Sequence, residues 1–510
     1  MIRYKKIVSI AMSIVVMATL FSTNVFACNC ISSYTIDGDI LTLQKGGKAK
    51  LRDKIQNAAN IRQAIVRPGI TSLVGTFEGF TCLEEVTFAD NSELEEIGDN
   101  AFKNCTNLRR ITIPGSVRTI GKEAFSGCEN LETVTIEQID ERRNNYAYNA
   151  APDVFAPAPE EQSIEIKDNA FLSCKKLERV IIISNNVASI GKNAFMDCKS
   201  LKSITNSQNN NNNRDIITIP NIVTSIGENA FSGCTRLKEI TIPNSINKIS
   251  EGTFQGCTRL RSVTISDSVT DIGEWAFKDC EKLETINIPN SVETIDTDAF
   301  RNCKNLKNIK IGNEIIKRFK DIFGGLNIEN VTISDDIQEI NDETFTGYTS
   351  LKHVTIPSSV KTIGNRAFMG CSNLESVTLD NNNVQNDANN NDCKIGQMAF
   401  MGCINLQRIC IPETIRNIDR YAFLGCTSLI SRDNDELRIP NSVTDIGEYA
   451  FMGCLSLNKL TIPDRTTNIH NYALMGCINL NTLSMPRNVI LGHHAIIGDF
   501  IENIIYRDIV

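Results

Sequence analysis

A phenylalanine returns along this chain at a fixed step. Phe231, Phe254, Phe277, Phe300 and Phe323 stand 23 residues apart. The series continues through Phe77, Phe102, Phe125, Phe171 and Phe195 on one side, and through Phe345, Phe368, Phe400, Phe423 and Phe451 on the other. Leu474 takes the place in the last full unit. A period of roughly 20 to 50 residues marks a solenoid, in which no unit buries its apolar side alone and neighbours stack over a shared core. The 510 residues therefore do not divide into three ordinary globular domains.

One uninterrupted unit runs from Ala230 to Ser250: A-F-S-G-C-T-R-L-K-E-I-T-I-P-N-S-I-N-K-I-S. Its E-I-T-I portion alternates and is β-branched, which predicts a short strand with Ile240 and Ile242 inward. Pro243 ends it, because proline has no N–H for a ladder. The second half turns back and sends Ile246, Ile249 and Phe254 into the core, with little length for regular helix.

The pattern A-F-x-x-C-x-x-L-x-x-I-x-I-P-x-x-V-x-x-I-G resembles the BspA-like class of leucine-rich repeat, found in secreted and surface antigens. It covers residues 61 to 500 about sixteen times. The resemblance implies a leucine-rich repeat solenoid of about sixteen 23-residue units, with a parallel β-sheet on the concave face and mostly irregular turns on the convex face. It also implies an adhesin that binds host matrix proteins or other cells. A repeat scaffold fixes a fold more firmly than a partner.

Residues 1–27 read as a secretory signal peptide: Arg3, Lys5 and Lys6, an apolar run from Ile7 to Phe21, and Val25-Phe26-Ala27 as a cleavage site. Their removal takes three positive charges and moves the net charge from −8 towards −11. Cys28 directly follows the site and leaves a lipid anchor open beside free release. Residues 28–60 are expected to cap the first repeat, with a hairpin at Tyr34–Leu43 around Asp37-Gly38 and a short helix over Lys48–Asn60. Residues 501–510 are expected to close the other end as a strand. Inserts interrupt the repeats at 137–163, 206–214, 380–394 and 431–436, the second and third rich in Asn. The first is favoured as a loop over a decayed repeat marked by Tyr148 and Val154.

Thirteen of the 18 cysteines stand three residues after the repeat Phe, where Phe80 and Tyr348 substitute in two units. Aromatic substitutes mark a buried packing site, so free thiols behaving as small hydrophobes are favoured over disulfides or metal ligands. Stacked strands place equivalent side chains about 4.8 Å apart, a poor match to a disulfide. A Cys393–Cys410 bridge stays open. No catalytic constellation and no metal or cofactor site is expected. The four histidines have no nucleophile or ligand partner at a suggestive spacing, and Gly115–Lys122 lacks the Ser or Thr of a phosphate loop. With 52 basic against 60 acidic residues and no basic run, nucleic acid is not an expected partner.

That leaves the outward strand residues as candidates for a protein ligand on the concave face. The middle column contains Thr241, Thr264, Thr332, Thr355 and Thr378, then Cys410 and Arg438; the column two residues earlier contains His353, Arg408, Glu436 and Lys459. Neither column holds an aromatic residue. Arg408, Arg438 and Lys459 form a basic strip expected to steer an acidic partner. The competing expectation is a cell-envelope spacer with no specific ligand.

Overall fold

The computed structural model describes residues 33–45, 48–49, 55, 58–138, 163–183, 187–205, 216–335, 337–380, 393–430, 437–496 and 501–508. The chain is a parallel β-solenoid of about 17 turns with few helices. It forms two compact units, residues 1–237 and 238–510. The expected leader, Cys28, Glu436, Tyr148 and Val154 lie outside the described residues, as do nearly all of the four inserts.

Each turn contributes a longer strand with buried and outward residues alternating, as in Arg110–Ile113 and Thr133–Ile136. These stack parallel and in register, Ile111 beside Val134 and Thr112 beside Thr135. Thr133–Ile136 then pairs directly with Arg179–Ile182. In the second unit the same row runs from Glu239–Thr241 to Arg408–Ile409.

The second half of the turn is more regular than the pattern announced. Two-residue strands such as Glu96–Ile97 and Thr119–Ile120 stack into their own parallel ladder. This short row holds seven strands in the first unit, and seven more run from Glu339–Ile340 to Ile490–Leu491 in the second. It also corrects the expected helix over Lys48–Asn60. Lys48–Ala49 is a strand whose backbone is taken up by Ser72–Leu73, and among the described residues of that stretch only Ala58–Asn60 is helical, as a single 3-10 turn. The hairpin forms where expected, Ser33–Asp37 antiparallel to Ile40–Lys45. In the second unit the short row stops at Thr294–Ile295, where helices Asn313–Ile316 and Phe319–Phe323 intervene. They bury Phe319 edge-on against Phe345 and Tyr348.

The core is a column of rings. Successive Phe side chains stack with centroids 5.0–5.4 Å apart from Phe77 to Phe231. From Phe345 to Phe451 the spacing is 4.9–5.2 Å. Beside them the repeat cysteines are buried and outside any disulfide, and their thiols donate to the carbonyl of the Phe one turn back, as Cys128 Sγ does to Phe102 O at 3.0 Å. A buried polar group with a partner is tolerated in a core, which explains why Cys fits this position. Cys410 is exposed and Cys393 buried, and neither is in a disulfide, so the Cys393–Cys410 bridge does not form.

Glycine after the short-row Ile marks a close backbone approach between turns. A Cβ on Gly447 would lie 2.7 Å from both Arg420 N and Asp419 C, leaving no room for a side chain.

Candidate binding surface

The candidate residues divide among separate stretches of the second unit's strand row. Thr241 and Thr264 are exposed register partners. Thr332, Thr355 and Thr378 occupy consecutive turns in one column, with Thr355 and Thr378 hydroxyls 3.2 Å apart. Thr332 and Thr355 are only half-exposed, so much of this ladder serves its neighbours. In the adjoining column His353 Nδ1 lies 2.9 Å from Ser376 Oγ, and Arg408 follows beside Ser376.

The row changes after Arg408–Ile409. That strand ends it, and the next strand of this kind, Lys459–Thr461, begins a three-stranded sheet. Between them Arg438 makes a single isolated bridge to Thr461. A groove of about 690 Å³ opens there, lined by Thr378, Arg408, Cys410, Glu413, Leu437 and Arg438 among others. The fold thus brings Arg408, Arg438 and Thr378 to one concavity, while Lys459 is not part of its lining. The basic strip is also less basic than the columns suggest. Glu413, from the turn after Pro412, holds the Arg438 guanidinium at 2.7 Å. That pair is exposed and contributes little to stability, but it offsets the positive charge of Arg438.

Charges beside the strands are matched in the same way. Glu329 sits between Lys307 and Lys352 at 2.7 and 2.9 Å, which lowers its carboxyl pKa. Among the described residues no cluster of His, Cys, Asp or Glu could hold a metal ion, and no helix is long and apolar enough to cross a membrane.

The strand columns hold no aromatics, but the turns do. Tyr421, Tyr449 and Tyr472 are half-exposed and stack at 5.1 and 5.0 Å, and His494 continues the row 5.6 Å from Tyr472. Arg420 lies over the first ring, 4.6 Å from its centroid. All three tyrosines have positive φ, 60°, 57° and 57°. Bulky residues rarely adopt that conformation, yet the repeat imposes it, since Trp275, Arg366 and Met398 adopt it at the same place in their turns. Beside them run half-buried Met401, Leu424, Met452 and Met475, then exposed Ile404, Leu455 and Ile478. Reading only the strand columns missed this surface. Its signal was in plain sight as R-Y-A-F, E-Y-A-F and N-Y-A-L, one Tyr ahead of each repeat Ala.

The BspA type leucine rich repeat region, described as six copies, matches residues 71–202, 164–283, 203–318, 276–394 and 393–509. The chain belongs to this family. It is one of surface-antigen-like repeat proteins, generally non-enzymatic scaffolds. Among solved structures, this BspA-type chain is similar to a leucine-rich repeat protein of Bacteroides ovatus at 22% identity, covering 95% of this chain and 100% of that one, with TM-score 0.37. It is similar to a leucine rich cell surface protein of Faecalibacterium prausnitzii at 22% identity, covering 91% and 95%, with TM-score 0.29. The pneumococcal vaccine antigen PcpA matches at 16% identity over 96% and 99%, with TM-score 0.21. No curated protein matches the chain in sequence.

Proposed function

We propose that this chain is an exported, non-enzymatic adhesin or interaction protein. Residues 1–27 direct its export, and it acts at the cell surface or beyond. The ligand is a protein of host matrix or of another cell, held by the strand row taken as the concave face. The groove after Arg408–Ile409 carries this reading, since it is where a regular row gives way to a concavity with two arginines at its walls. Arg408 and Arg438 meet acidic side chains of the ligand, with Lys459 at the margin and His353 and the Thr column extending the contact. Extended solenoid surfaces commonly bind in this way. Cys28 leaves surface retention by lipid open.

The test is binding of the purified protein to immobilised matrix proteins and to intact cells, at low and physiological salt. Replacing Arg408, Arg438 and Lys459 together by Ser is expected to weaken binding and flatten its salt dependence. Unchanged affinity and salt slope in that variant would remove the groove from the reading. Absence of binding to any matrix protein or cell would leave the envelope spacer. A second reading rests on the strained tyrosines: the turn surface, rich in the Tyr, Met and Arg that interfaces favour, is the contact. Substituting Tyr421, Tyr449 and Tyr472 by Asn would then abolish a binding that salt barely affects.

A further inference from the structure

The first and last turns of the solenoid are finished differently. At the first, the antiparallel hairpin folds Tyr34, Leu41 and Leu43 into the core. At the last, Asn503–Arg507 pairs with Thr482–Pro486 and is the outermost strand of its sheet among the described residues. Leu483 and Met485 are fully buried under it, but their register partners Ile504 and Tyr506 are 41% and 48% exposed. Ile505 is 50% exposed on the same strand, and Ile490 and Leu491 end the short row at 66% and 43%. Five of the nine exposed large apolar side chains in the described residues are gathered at this one end.

A hydrophobic edge strand is a template for pairing with another strand, and folds normally blunt it with charge, proline or a covering segment. Here the nearby charges are used internally. Arg507 pairs with Asp464 at 2.9 Å, and Arg487 with Asp508 at 2.6 Å. On a chain with net charge −8 two copies repel overall, and this end offers an apolar strand flanked by one further charge, Glu502.

We infer that Asn503–Arg507 pairs antiparallel with the same strand of a second copy, joining two solenoids end to end about a two-fold axis. Such an interface must be self-complementary, and the sequence of this strand is. With Ile505 opposite its own counterpart, Ile504 faces Tyr506 and Asn503 faces Arg507. The first is an aromatic–aliphatic cross-strand pair and the second sets an amide against a guanidinium, while at the margin Glu502 falls opposite Asp508, whose charge Arg487 holds. The unpaired edge groups become a continuous antiparallel ladder, and the open ends of both cores cover one another.

Sedimentation equilibrium of the purified protein tests this directly. The expected result is twice the mass of a single chain. Ile505→Lys puts two ammonium groups face to face across the axis and is expected to give single chains, as is Ile505→Glu. Mixing those two variants is expected to restore the doubled mass, because Lys then faces Glu. Each variant should keep the wild-type far-ultraviolet circular dichroism spectrum, since the residue replaced is half-exposed. Single chains for the wild-type protein overturn the inference. So does a doubled mass that survives in either variant alone, which puts the contact elsewhere. Growth beyond two chains overturns it as well, since a two-fold contact closes on itself.

Discussion

Two aromatic ladders climb the last turns of the second unit side by side. Phe400, Phe423 and Phe451 stack at 5.2 and 5.1 Å in full burial, while Tyr421, Tyr449 and Tyr472 stack at 5.1 and 5.0 Å, half-exposed. The spacing matches because the stacked backbone sets it for both. Their histories along the chain differ. The Phe position holds its residue type through nearly every turn, whereas the Tyr position holds Asn100, Glu123, Asn169, Asn193 and Asn229 in the first unit. Asn suits a positive φ and Tyr does not. The buried ring is therefore a requirement of the fold, whereas the surface position accepts varied residues, Trp275, Arg366 and Met398 among them.

Alkali should break the buried side of this comparison first. Burial pushes the thiols of Cys303, Cys371 and Cys477 from the ordinary 9.0 up to about 12. Other repeat thiols such as Cys426 and Cys454 are raised further by burial and by their neighbouring cysteines. These groups ionise in the unfolded chain before they ionise in the folded one. The stability from keeping them neutral is whole below pH 9 and is lost as pH rises through 12. Circular dichroism against pH is expected to show loss of the fold within that window. A flat curve from pH 9 to 12 would mean the thiol column is not the weak point.

Next in size is removal of one buried ring. Phe423→Ala leaves a cavity in a column with no way to collapse, and is expected to cost about 3–5 kcal/mol. Urea unfolding followed by circular dichroism measures it, with Tyr449→Ala expected to cost about 1 kcal/mol or less. Equal costs would erase the distinction between the ladders. Two glycines refine it. Gly447→Ala forces a methyl against Arg420 N and Asp419 C, and about 1–3 kcal/mol is expected. Gly425→Ala meets nothing within 4 Å and bears only its positive φ of 73°, for about 1 kcal/mol. The reverse order would show that conformation outweighs contact at these turns.

The buried half of the molecule could be seen in the sequence. Phe, Leu and Ile at fixed offsets fix the turn, and Phe80 in the Cys column already marked that column as buried. What escaped were features that depend on neighbours several turns away or on the backbone. The short ladder is written as pairs such as T-I and E-I, too brief for a strand until the stack supplies partners. Glu413 lies outside both strand columns, so its pairing with Arg438 emerges only in three dimensions. The helices at Asn313–Ile316 and Phe319–Phe323 hide behind a correct 23-residue step to Phe323. The tyrosine row was legible as a pattern but unremarkable without its φ.

The smallest expected effect on stability is the most telling. Tyr449→Asn installs the residue the first unit uses at this position. It loses two stacking contacts, each worth about 0.5–1.5 kcal/mol for a well-made pair and less at a half-exposed site. It gains relief from a left-handed backbone that costs a non-glycine residue about 1–2 kcal/mol and Asn less. The two nearly cancel, so the unfolding free energy is expected to move by less than about 0.5 kcal/mol, as for surface changes generally. The same substitution at a position serving only the fold would have no other consequence. If the tyrosines are there to contact a partner, binding to cells or matrix proteins falls while the unfolding curve stays in place. A variant that loses substantial stability instead would show that the surface ladder, like the buried one, belongs to the fold.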